Sequence, residues 1–167
     1  MDFSVFNQLP HEIATLLIAL IPIGELRASI PIGILVYDLP WWSVYIFSVI
    51  GNMLPVFFLL WWLEPVYKFF DKRSRWLHRF FDWVFTRTRR KLAAKVAKHG
   101  WWALMLFVMI PLPITGAWTG SAAAFIFGIK SKKALLSIFL GVLIAGVIVT
   151  VITVGAYDAF EWLIGID

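Results

Sequence analysis

Cysteine is absent from the 167 residues, which excludes disulfides, thiolate metal sites, iron–sulfur clusters and thiol catalysis. Histidine is scarce: His11, His78 and His99 stand far apart, so no histidine-rich metal site is expected. Charge is scarce too, at 15% of residues against about 25% in ordinary soluble domains. The chain is instead 61% hydrophobic and 17% aromatic. A soluble fold of this size would be left with large apolar surface patches, which soluble monomers avoid. An ordinary soluble domain is therefore excluded, and lipid is the expected solvent for most of the chain. The stretch MDFSVFNQLPHE lacks the basic opening of a secretory leader. No P-loop, hydrolase elbow, HExxH or paired-carboxylate pattern is present, so neither an enzyme nor a cofactor is expected.

The formal net charge of +5 has one source. Residues 68–98 hold eleven bases and two acids, a net of +9; the rest hold four bases and eight acids, a net of −4. Bases near the ends of membrane spans mark the cytoplasmic side. Phe69, Phe70, Trp76, Phe80, Phe81, Trp83 and Phe85 interleave with these bases, and positions 76, 80 and 83 share one helical face. This predicts an amphipathic helix lying on anionic lipid headgroups. A second short helix over 89–99 is expected to end at Gly100. Aromatics between bases also suit nucleic acid, but beside membrane spans lipid is the expected partner and nucleic acid is not.

Four apolar tracts flank the basic segment, two on each side. The tract 13–37 is interrupted by Ile21-Pro22-Ile23-Gly24-Glu25-Leu26-Arg27 and again at Pro31. The tract 41–63 is uncharged and about 34 Å long as a helix, enough for a hydrocarbon core of about 30 Å. The tract 101–129 is interrupted by Pro111-Leu112-Pro113-Ile114-Thr115-Gly116, and 134–154 is again uncharged. The order is broken, whole, basic, broken, whole, an internal repeat by architecture. Aligning Pro22 with Pro111 brings Gly51 close to Gly141. Interrupted hydrophobic tracts at corresponding positions of two halves point to a transporter site.

Orientation distinguishes re-entrant from crossing tracts. If 101–129 crossed the bilayer, Lys130, Lys132 and Lys133 would lie outside, against the positive-inside rule. If it enters, turns near Pro113 and returns, they lie inside. Treating 13–37 alike leaves Asp2, Glu12, Asp38, Asp158, Glu161 and Asp167 outside and 14 of the 15 bases inside. The alternative is four spans with proline-kinked helices. The expected fold class is thus an all-α integral membrane protein, an inverted repeat of a re-entrant helical hairpin plus a transmembrane helix. Its parts are a first repeat over 1–63, a cytoplasmic amphipathic linker over 64–100, and a second repeat with an acidic tail over 101–167. The expected location is the cytoplasmic membrane, multi-pass, with 64–100 and 130–133 inside and both termini outside.

Glu25 and Arg27 are the only charges within the apolar tracts. Such residues are functional candidates by default, because a charge at the bilayer centre costs about 2.5–3.5 kcal/mol on insertion scales. Glu25 suits a proton and Arg27 an anionic headgroup or carboxylate. The plainer alternative is mutual neutralisation, which needs a turn, since positions i and i+2 do not face each other on a helix. The second interruption offers Thr115, Trp118, Thr119 and the backbone at Gly116, where free amides at a helix start hold anions. Gly116, Gly120, Ala124 and Gly128 form a small-residue stripe suited to close helix packing. Asn52 suits a hydrogen bond across the bundle or substrate contact, and Pro55 a kink. Thr150 and Thr153 are expected to bond their own helix carbonyls. The expected binding residues are therefore Glu25, Arg27, Asn52, Thr115, Gly116, Trp118 and Thr119, around turns marked by Pro22, Gly24, Pro31, Pro111, Pro113 and Gly120.

Two strings, Gly24-Glu25-Leu26-Arg27-Ala28-Ser29-Ile30-Pro31 and Pro111-Leu112-Pro113-Ile114-Thr115-Gly116-Ala117-Trp118-Thr119-Gly120, resemble the small multidrug export protein family over most of the chain. A fainter resemblance is to the DedA-like membrane proteins, on Glu25 and on Phe107-Val108-Met109-Ile110-Pro111. That resemblance implies two re-entrant hairpins in inverted repeats, and lipid or ion-coupled transport. The arginines it implies in the second hairpin are absent, and Arg27 lies in the first. The combined expectation is a small secondary transporter, proton- or ion-coupled and acting as a homodimer. It would move an amphiphilic or lipid-linked anion through a midplane site between the two turns. The alternatives are a non-transporting scaffold acting through its basic segment, and multidrug efflux.

Overall fold

The computed structural model describes residues 9–73, 100–111 and 115–164. The amphipathic helix expected around Trp76, Phe80 and Trp83, the helix over 89–99, and Pro113 lie outside the described residues. Among the described residues there are helices and no strands. They are α1 (His11–Leu20), α2 (Glu25–Leu35), α3 (Trp41–Arg73), α4 (Gly100–Met109), α5 (Ala117–Phe127) and α6 (Ser131–Ile164). The chain packs as two compact units: one runs to Leu54 and resumes at Val142, and the other is Pro55–Gly141.

The first unit is built on local rules. The Pro10 carbonyl accepts the amides of Ile13 and Ala14 at 2.9 and 3.0 Å and opens α1. The helix stops where a residue preceding proline is pushed out of the helical region: Ile21 is extended, with ψ 134°. α2 buries Leu26, Ser29, Ile30 and Gly33, spaced to form a single face. Gly33 lies against Val44 of α3; a Cβ there would stand 2.7 Å from Val44 Cγ1. At the far end His11 stacks on Tyr37 with ring centroids 4.7 Å apart, above a core of Ala14, Ile18 and Tyr37. From α6, Gly146 receives the ring of Tyr45, whose hydroxyl donates to the Leu143 carbonyl at 3.0 Å.

The second unit repeats one of these contacts. In the first, Gly51 of α3 sits on the Leu16 carbonyl and Ala19 of α1. In the second, Gly141 of α6 sits on the Met105 carbonyl and Val108 of α4. Both partner pairs are three residues apart, and both precede a proline, Pro22 or Pro111, by the same number of positions. Gly120 of α5 also packs against Val108. α5 closes on Gly128, left-handed with φ 68°, as glycine allows without a Cβ clash.

Among the described residues two helices are long and apolar enough to cross a membrane: Trp41–Leu63 within α3, mean hydropathy 1.9, and Ser131–Tyr157 within α6, mean hydropathy 2.9. On α3 the exposed pairs Trp41-Trp42 and Trp61-Trp62 bracket a rise of about 30 Å. That is the spacing of the two aromatic belts of a bilayer. Both helices outrun their apolar stretches, α3 to Arg73 and α6 to Ile164.

Two sequence expectations are corrected. No break occurs at Pro31, which lies inside α2. An interior proline costs about 3 kcal/mol, and α2 is held on both sides of it by the buried Ile30 and Gly33. Gly100, expected to end a helix, is instead the first described residue of α4, and it is buried.

Candidate functional site

The break at Pro22 leads into Glu25, one of two left-handed non-glycine residues among the described residues. The amides of Gly24 and Glu25 turn back onto the Ile21 carbonyl at 3.1 and 3.0 Å. Gly24 fits because a Cβ there would stand 2.9 Å from the Ile18 carbonyl oxygen. Glu25 then takes φ 47°, a left-handed conformation that costs an L-residue about 1–2 kcal/mol. It is also a carboxyl group only 6% exposed. Two features offset its burial: Glu25 is the first residue of α2, where the helix dipole favours negative charge, and it attracts the half-buried Arg27.

The antiparallel register of α2 on α3 extends the site. Gly33 meets Val44, and one helical turn earlier the Ser29 hydroxyl donates to the Ser48 hydroxyl at 2.7 Å in the buried interior. Asn52 is 1% exposed, and its Oδ1 accepts no hydrogen bond. An orphaned buried acceptor costs about 1–3 kcal/mol. The interior of the first unit therefore holds a buried carboxyl group, a serine pair and an amide oxygen that accepts no hydrogen bond. Ser29 and Ser48 were not anticipated as site residues. Their signal was spacing: Ser29 follows Glu25, and Ser48 precedes Asn52, by four positions.

Thr115, Gly116, Trp118 and Thr119 belong to the other unit. The Thr115 hydroxyl donates to the Ile110 carbonyl at 2.7 Å; that of Thr119 donates to the Gly116 carbonyl at 3.3 Å. Gly116, Gly120 and Ala124 are buried and Gly128 is exposed, so three of the four stripe residues are packed. Pro111 is half-buried at the end of α4.

Thr153 behaves as expected, donating to its own Val149 carbonyl at 2.8 Å. Thr150 does not: its buried hydroxyl has no partner. It borders an apolar groove of about 550 Å³ between α3 and α6, with Trp41, Tyr45 and Val151. Among the described residues, no group of three or more His, Asp or Glu is placed to hold a metal ion.

Residues 25–148 match the family model described as "Putative small multi-drug export protein". No curated protein and no solved structure matches the chain. The match begins at Glu25, within the first interrupted tract, and takes in all of the second; nothing in the comparisons supports the DedA-like resemblance.

Proposed function

Because the chain belongs to the small multi-drug export protein family, we propose that it is a secondary membrane transporter whose coupling ion and substrate meet at the first interrupted hairpin. The observation that carries this is the buried carboxyl group of Glu25 at the start of α2, held in a strained backbone and within electrostatic reach of the half-buried Arg27. A structural ion pair has no need of a left-handed glutamate, and strain of this kind is characteristic of functional sites. Glu25 takes the coupling ion, and Arg27 takes an anionic group on an amphiphilic or lipid-linked substrate through its planar fork. Neutralising Glu25 releases Arg27 to the substrate, which links the two binding events.

Length supports a re-entrant topology: α1 has ten residues, about 15 Å, half a hydrocarbon core. The two interrupted tracts enter and return rather than cross, and the recurrence of the Gly51 and Gly141 contacts supports an inverted repeat. Residues 64–100 and 130–133 face the cytoplasm, where the bases hold anionic lipid. Two spans make a thin bundle, so the working form is a homodimer. No cofactor and no enzymatic step is involved.

The test is transport by purified protein in liposomes carrying a pH gradient, with lipid-linked anions, organic cations and fluorescent lipid analogues as cargo. We expect movement of an anionic amphiphile that Glu25→Gln abolishes. If no cargo moves and Glu25→Gln leaves the cellular phenotype intact, the transporter reading fails. Movement of organic cations alone favours multidrug efflux, as the family description suggests. A scaffold, favoured by the eleven bases of 68–98, would instead lose function when those bases are neutralised.

A further inference from the structure

The groove between α3 and α6 has in its wall a threonine whose hydroxyl its own helix does not use. We propose that the groove holds the hydrocarbon chain of one ester-linked lipid, from the leaflet at the Trp41 end, and that the Thr150 hydroxyl donates to that lipid's ester carbonyl. The site involves neither Glu25 nor Arg27, and it stands whether or not the protein moves cargo.

Hydroxyls buried on a helix commonly return to their own backbone. Those of Thr15, Ser121, Ser137 and Thr153 each donate at 2.8 Å to the carbonyl four residues earlier. Thr150 is only 8% exposed, yet its hydroxyl makes no hydrogen bond. A buried polar group left in that state is rare, because its desolvation is not recovered. Thr150 forms part of the groove wall with Trp41, Tyr45, Val147, Val151 and Gly155. Its hydroxyl holds no bond to give up, so rotation about Cα–Cβ to another staggered position presents it to an occupant. The rest of the wall suits hydrocarbon. No charge occurs on α3 from Trp41 to Leu54 or on α6 from Val142 to Val154, and the Tyr45 hydroxyl is spent on the Leu143 carbonyl. Apolar walls with a few polar groups, enclosing about 550 Å³, are characteristic of sites for small amphiphiles.

Length and position select a lipid over a second copy of the chain. From Val147 to Gly155 the groove follows α6 for about 12 Å. One leaflet of hydrocarbon is about 15 Å deep, whereas a partner helix packed on a whole span needs a seam of about 30 Å. Trp41 is the first residue of α3 and is exposed; a tryptophan at the end of a span marks the headgroup level. The ester carbonyls of a lipid lie just inside that level, and its chains run on toward the midplane. Gly155 keeps the groove open, since a Cβ there would meet nothing within 4 Å.

The experiment is native mass spectrometry of the whole protein released from detergent micelles, titrated with a diester phosphatidylcholine or with its diether analogue. The zwitterionic headgroup keeps the bases of 68–98 from selecting the lipid. Wild type is expected to retain one diester lipid per chain, saturably, and about 2- to 12-fold more tightly than the diether, the worth of one neutral hydrogen bond. Thr150→Val keeps the shape of the wall and is expected to bind both lipids at the diether level. Gly155→Leu fills the groove and is expected to lose the retained lipid. Retention that never saturates, equal affinity of wild type for the two lipids, or a diester preference that survives Thr150→Val overturns the proposal. So does undiminished retention by Gly155→Leu. A wild-type dimer that carries no lipid and that Gly155→Leu breaks apart assigns the groove to a second copy and overturns it too. The diester preference of wild type decides the matter even if a variant does not fold.

Discussion

Gly51 is where α3 comes closest to α1, and adding one methyl group there tests the packing that holds the site. In Gly51→Ala the new Cβ would stand 3.0 Å from both Ala19 Cβ and the Leu16 carbonyl carbon, and closer still to the Leu16 oxygen. Two of these three atoms are backbone, so no side-chain rotation relieves the contact and α1 must move as a body. Overpacking of this kind costs about 1–3 kcal/mol, and rigid neighbours place Gly51 at the upper end. The substitution also recovers about 1 kcal/mol of helix propensity, leaving a net loss of about 2 kcal/mol. Gly155 on α6 is the control, since a Cβ there meets nothing within 4 Å. Gly155→Ala should therefore keep the propensity gain and stabilise the protein by up to about 1 kcal/mol. The assay is reversible unfolding of the purified protein in mixed micelles with rising dodecyl sulfate. Equal stability of Gly51→Ala and wild type, or equal destabilisation by the two substitutions, would refute the close approach of α3 to α1.

Gly141→Ala should cost about as much as Gly51→Ala, roughly 2 kcal/mol in the same assay, because its Cβ would stand 2.8 Å from Val108 Cβ and 2.9 Å from the Met105 carbonyl oxygen. A double-mutant cycle on Ser29→Ala and Ser48→Ala should return a coupling of about 0.6 kcal/mol, the average for hydrogen bonds between membrane helices; zero coupling would refute the contact of α2 with α3 at these serines. Tyr45→Phe deletes only the bond to Leu143, so an unfolding shift of about 0.5–1.5 kcal/mol is expected. Since the chain has no cysteine, single cysteines at Ser4, Asp38, Ser74, Ser131 and Asp158 test the topology with an impermeant thiol reagent. Outside, outside, inside, inside, outside is expected, and external labelling at Ser131 would exclude a re-entrant second hairpin.

Much of the architecture was legible in the sequence because it is set by local sterics and by transfer to lipid. Pro22 ends α1 through the residue before it, whatever packs nearby. The uncharged stretches within α3 and α6 read as spans because length and hydropathy are sums over consecutive residues. Glu25 and Arg27 stood out because composition alone makes a charge there costly. Pro31 shows where local reading ends: its effect on α2 depends on what Ile30 and Gly33 bury against, which no neighbouring residue encodes. Tertiary structure alone decided that Gly51 touches Leu16, that Ser29 meets Ser48, and that Glu25 is left-handed. It also decided which of two threonines on α6 satisfies itself and which does not. These facts depend on helices 19 or more residues apart meeting in one register, and a register is a property of two surfaces. The sequence named Asn52 as a polar residue in an apolar helix; only the tertiary packing buried it and left its amide oxygen without a donor.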